Sequence, residues 1–197
     1  FLDSEELADI AEYYHLIGKE EEARVAATYA TNVFPGATAP LCFLARTALF
    51  IDKDFVKAKQ FAEDIIDKED LDYYYLIAEI LMVQNKNEET DKYLSECFRR
   101  VAEDEQQDYI FDVASLYCDY GLAELAQKWL SLYEDIETQE YKELKAKILL
   151  WIGKSNESEE VLNELIDSNP YSTIYWNELA ECHFIRGEHN KSITASE

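Results

Sequence analysis

Apolar residues recur at spacings of three, four and seven along the chain, and short polar breaks interrupt them at regular intervals. Leu7, Ile10, Ala11 and Tyr14 form one such stripe before Gly18, and Tyr74, Ile77, Ala78 and Leu81 form another before Asn85. Ile110, Val113, Ala114 and Tyr117 precede Gly121, and Trp176, Leu179, Ala180 and His183 precede Gly187. This spacing lines one face of a helix, and the Ala at the same place in each stripe lets a neighbouring helix approach closely. After each break a second stripe opens on a small residue: Ala23, Ala58, Thr90, Ala126, Ser158 and Ser192 in turn. A larger apolar residue follows four positions later in Leu94, Leu130 and Leu162. The pattern predicts pairs of short helices joined by tight turns.

The pairs repeat. Gly121, Gly153 and Gly187 are separated by 32 and 34 residues (153 − 121 and 187 − 153), and Gly18 lies 103 before Gly121, three units of about 34. The breaks between fall at Ile51-Asp52-Lys53-Asp54 and Gln84-Asn85-Lys86-Asn87, and Pro35 and Pro170 each close a second helix. Units are expected at 4–37, 38–70, 71–106, 107–138, 139–172 and 173–197, in one domain whose last unit is cut inside its second helix. That cut, and an opening Phe1 without Met, predict that the native chain extends further. Asp3 and Glu6 form a capping box for the first helix. In the second unit Leu41, Leu44 and Ala45 are followed by a turn about one residue late, which implies a one-residue insertion between its helices. The fifth has Lys142 and Lys145 where large apolar residues are expected, and Tyr141 and Leu144 are candidates to supply the packing.

The chain resembles tetratricopeptide repeats, whose W-x-x-L-G-x-x-Y…A-x-x-x-F…P pattern at a 34-residue period matches these positions, best in the last unit through Trp176, Leu179, Ala180 and Gly187. The resemblance implies an all-α fold, an α-solenoid of about six antiparallel helix pairs in a right-handed superhelix, with the first helices lining a concave groove. It also implies a non-catalytic module that binds a protein segment in the groove or scaffolds an assembly. The alternative is a regulatory or substrate-recruiting part of a larger enzyme or signalling protein.

Composition narrows the partners. Five Gly and three Pro in 197 residues leave little room for a many-turned sheet protein, and 48% hydrophobic residues suffice for a core. A net charge of −24 repels phosphate backbones and anionic lipid, so nucleic acid, RNA-binding helical repeats included, and membrane surfaces are not expected partners. Cys42, Cys97, Cys118 and Cys182 form no C-x-x-C pair, which reads as a reduced, cytoplasmic chain without metal or cofactor. The three histidines match no catalytic or metal signature: His183 is expected in the helix packing, His15 on the groove. Of Tyr73, Tyr74 and Tyr75, helical spacing sends Tyr74 to the packing face, Tyr75 to the groove and Tyr73 outward.

Groove positions on the first helices carry Glu5, Asp9, Glu12, Asp72, Glu79, Asp108, Asp112, Asp119, Glu140, Glu143, Glu178 and Glu181, against Arg46 and Lys147 alone. One reading of this excess is the acidity of the chain as a whole. The alternative reading is a groove that attracts a basic protein or peptide. Holding an acidic tail needs convergent donors, and Arg46, Lys147 and Asn177 are too dispersed for that. The apolar stripe around Phe184 and Ile193, left open by the cut, predicts self-association.

Overall fold

The structure, a computed structural model, describes residues 2–187. All regular structure among them is helical: α1 Ser4–Leu16, α2 Glu20–Val33, α3 Thr38–Arg46, α4 Phe55–Asp64, α5 Leu71–Val83, α6 Asn87–Phe98, α7 Gln106–Asp119, α8 Ala123–Leu130, α9 Gln139–Trp151, α10 Ser155–Ser168 and α11 Thr173–Ile185. α3 runs on without a break into a π-helical segment, Thr47–Asp52. Two compact units meet at Arg100 and Val101. In the first, α1 packs on α2, α3 on α4 and α5 on α6, with α3 also against α1, α2 and α5. In the second, α7 packs on α8 and α9 on α10, while α11 lies against α10.

Local chemistry starts and stops these helices. The Asp3 side chain accepts from the Glu6 N–H while Glu6 accepts from the Asp3 N–H, both at 2.9 Å, which completes the expected capping box. Asp54, Asp70 and Thr138 cap α4, α5 and α9. First helices end in a common turn, in which Lys19, Lys86, Leu122 and Lys154 donate to the carbonyls of Tyr14, Leu81, Tyr117 and Leu149 at 2.8, 3.1, 2.9 and 2.8 Å. Each bond spans five residues and needs a left-handed residue just before the donor. Gly18, Gly121 and Gly153 fill that place, and Asn85 does so at φ 58°.

These closures set the register. Leu149 takes the place of Tyr117, so Lys142 and Lys145 do occupy stripe positions in α9. Lys145 lies 5.5 Å over the Tyr141 ring, and Lys142 reaches Glu137 and Glu164 at 3.2 and 3.0 Å. The buried packing comes from Leu144 and Ile148, with Tyr141 half-buried.

In the second pair the closing bond runs from the Asp54 N–H to the Ala48 carbonyl at 2.9 Å, and it spans six residues instead of five. The extra residue expected between the helices is therefore absorbed within the end of the first one, as the π turn Thr47–Asp52. Two contacts hold it there. Arg24 on α2 grips Asp52 through both nitrogens at 2.9 and 2.7 Å, and the Thr47 hydroxyl donates to the Phe43 carbonyl at 2.8 Å. Lys53, at φ 57°, supplies the left-handed residue.

The small residues are where close helix approach requires them. Ala23, Ala58, Thr90, Ala126 and Ser158 are all fully buried, and the stripe alanines Ala11, Ala45, Ala78 and Ala114 are as well. Ser192 lies outside the described residues. Gly36 joins α2 to α3 at φ 82°, and a Cβ there would run into the Ile66 side chain. Tyr73, expected outward, instead packs against the cluster that contains Leu49, Ala62 and Leu76. α4 ends at Asp64, and the returning strand of chain brings Lys68 over the Tyr73 ring at 4.5 Å.

His183 is buried beside Arg186 and Glu159, as expected of a packing residue. All four cysteines are buried. No helix among the described residues is long and apolar enough to cross a membrane. Phe184 is exposed on α11 together with Ile174 and Ile185, whereas Ile193 lies outside the described residues.

Candidate binding concavities

Each unit carries concavities lined by its first helices. In the first, α1 contributes Glu12, His15 and Leu16, α3 contributes Phe43 and Arg46, and the π segment contributes Thr47, Phe50 and Ile51 to a space of about 320 Å³. His15 turns its edge to Phe43, with ring centroids 6.1 Å apart, and holds Nδ1 2.6 Å from a Glu20 carboxylate oxygen. Arg46 donates from Nε to Glu79 at 2.7 Å. Burial works against the Arg46 charge, but the Glu79 carboxylate outweighs it and leaves Arg46 more firmly protonated than usual. Burial also pushes the Glu79 carboxyl above its ordinary value, with Arg46 opposing. Glu79 is thus a buried counter-ion, not an open groove acid, and Tyr75, four residues before it on α5, is half-buried without lining this space.

In the second unit, Glu143 and Lys147 of α9 share a concavity of about 540 Å³ with Phe111 and Ser115 of α7 and Tyr175 and Glu178 of α11. The Tyr175 hydroxyl donates to Glu143, and Gln139 donates to both at 2.9 Å. Lys147 is drawn to Asp119 at 3.3 Å and lies 5.5 Å from the Trp151 ring centre. An adjoining hollow of about 400 Å³ is lined by Asp108, Asp112 and Glu140 over the rings of Phe111 and Tyr133. Those two rings are 5.3 Å apart, and Tyr133 stacks in turn on Tyr141. Asn177 and Glu181 are exposed on α11 and line neither space.

Solved structures share this helical fold. A tetratricopeptide repeat protein from Parabacteroides merdae superposes with a TM-score of 0.63 over 98% of this chain and 77% of its own, at 16% identity. A set of nearly identical TPR-like repeats from Podosopora anserina gives 0.50 over 96% of this chain and 89% of its own, at 12% identity. The fold is that of tetratricopeptide-repeat proteins. No family model matches the sequence, and no curated protein does. The likeness therefore resides in backbone geometry.

Within this tetratricopeptide-repeat fold, Glu12, Asp112 and Glu143 of the acids singled out by the sequence pattern line concavities, and Glu79, Asp119 and Glu181 do not. Helical spacing does not separate a residue between two helices from one at the mouth of the gap, so it does not single out Phe43, Phe50, Phe111 or Tyr133, and Ile51 falls in the break between two helices. The displaced turn of the second repeat was the signal that could have singled out Phe50 and Ile51.

Glu178 offers a test of the electrostatics. Burial first, and the Glu143 charge second, push its carboxyl above the ordinary value, with Lys147 opposing. A carboxyl raised by folding contributes stability that is full below its ordinary value of 4.5 and lost as the pH rises through the folded one. Glu178→Gln is therefore expected to stabilise the chain at pH 7, with the gain vanishing below pH 4.5, in urea unfolding followed by circular dichroism at both pH values. Equal gains at both would contradict this account.

Proposed function

We propose that the chain is a non-catalytic interaction module that binds a basic protein segment along its concave helices. One observation carries the reading: the two groove cations each pair with an acid of the chain, Arg46 with Glu79 and Lys147 with Asp119, while Asp108, Asp112 and Glu140 line a hollow with an aromatic floor. Such a surface disfavours an acidic tail. It attracts Lys and Arg at long range and lets their stems lie on Phe111 and Tyr133. The tetratricopeptide-repeat fold supports a protein-binding role in general, and the six-repeat, single-domain organisation belongs to the same proposal.

A labelled lysine-rich peptide is expected to bind with an affinity that falls about tenfold or more between low and physiological salt. Replacing Asp108, Asp112 and Glu140 by Lys is expected to abolish the binding. These side chains are exposed, so the triple variant should fold. Salt-independent binding, or an unaffected triple variant, would refute the acidic-groove reading.

A further inference from the structure

The π turn of the second repeat breaks the local rules twice within a few residues. It inserts a residue into a helix end that closes over five residues elsewhere, and it places Lys53 in the left-handed region where other repeats have Gly or Asn. Both features are locally unfavourable, and such departures concentrate where a site is built. Here the inserted turn is a wall. Thr47, Phe50 and Ile51 line the 320 Å³ concavity of the first unit together with Phe43 of α3 and Leu16 of α1, and Ile51 keeps 44% of its surface exposed. The Arg24 to Asp52 pair fixes the wall from behind.

The charges at the rim define the occupant. Arg46 is spent on Glu79 and His15 is engaged with Glu20, which leaves Glu12 as the exposed carboxylate on the lining, one turn from Asp9 on the same helix. The volume lies at the small end for ligand sites, about 300 Å³, which suits one large side chain better than a whole small molecule.

We infer that this concavity is an anchor pocket for a single aromatic or branched apolar side chain of a bound peptide, with a Lys or Arg close by in that peptide meeting Glu12. The inference rests on the binding role proposed above and adds a selectivity that the acidic groove by itself does not have. Burying one such side chain is worth about tenfold or more in affinity.

The test uses three fluorescein-labelled heptapeptides in polarisation titrations: one with Phe between pairs of Lys, one with Ala in its place, and one with Phe between pairs of Glu. The 197-residue chain should bind the first about tenfold more tightly than the second, and the third not measurably. Leu16→Arg changes a residue that is 82% exposed, so it should fold normally and bring the Phe-to-Ala ratio close to one. Deleting Asp52, which restores the five-residue turn, should do the same. Equal binding of the Phe and Ala peptides by the unaltered chain, or a ratio that survives Leu16→Arg, overturns the pocket and leaves the acidic groove standing. Failure of both lysine peptides to bind overturns both.

Discussion

Arg46→Met is expected to destabilise the chain by about 2–3 kcal/mol at pH 7, with the loss shrinking as the pH falls. The substitution keeps most of the side-chain volume, so the loss arises from charge. It strands Glu79, whose side chain is only 12% exposed, without the guanidinium 2.7 Å away. Breaking a buried pair from one side typically costs about 3–5 kcal/mol, and exposure of Arg46 over about a third of its surface brings the figure down. Burial already raises the Glu79 carboxyl despite Arg46, and loss of Arg46 raises it further. Stability is then lost as the pH rises through that folded value and is recovered below the ordinary value of 4.5, where both states are protonated. Urea unfolding at pH 7 and pH 4 measures the difference. The double variant Arg46→Met, Glu79→Leu should recover most of the loss at pH 7, because replacing both charges by apolar groups leaves nothing stranded. A deficit that is the same at both pH values, or that persists in the double variant, would mean that packing and not charge is at work.

Leu162→Ala is expected to cost about 3 kcal/mol, within the usual range of about 2–5 kcal/mol for such truncations. Leu162 on α10 is fully buried in the cluster formed with Ala146 and Leu150 of α9 and Tyr175 and Leu179 of α11. Its removal opens a cavity among three helices that cannot close without moving all of them. Against a typical stability of about 5–15 kcal/mol, the loss is large. Leu162→Met, which conserves volume, should stay under about 1.5 kcal/mol. The urea midpoint should fall in the Ala variant with an unchanged slope, and equal midpoints for Ala and Met would show that the site is not close-packed.

Some of the groove could be read from residue order alone. Glu12, His15 and Arg46 come together because the same face of two successive first helices carries them, and Glu143 and Lys147 share a concavity because they lie four residues apart on α9. Whether an acid at such a position is open or spent could not be read. Glu79 and Glu12 hold the same place in the repeat, one residue after Ala78 and Ala11, yet the first lies buried against Arg46 and the second is exposed on the lining of a concavity. That distinction depends on a partner 33 residues away and on how deeply the helices enclose it.

The insertion in the second repeat shows the same division. Counting residues between stripes revealed one too many. Its location depended on which backbone bonds could be made, and the π turn keeps Ala48 bonded to Asp54 while Arg24 holds Asp52. Tyr73 went astray for a related reason: helical spacing points it outward, but the segment after α4 folds back and encloses it.

The sequence by itself determined the helices, their pairing, the repeat period, the turn chemistry and the sign of the field, since each of these follows from spacing, small residues and charge along short stretches of chain. The tertiary structure alone decided which charges are neutralised, where the extra residue is stored and which aromatic rings floor a concavity instead of filling a core. Those outcomes turn on distances between helices far apart in sequence, and no local period encodes them.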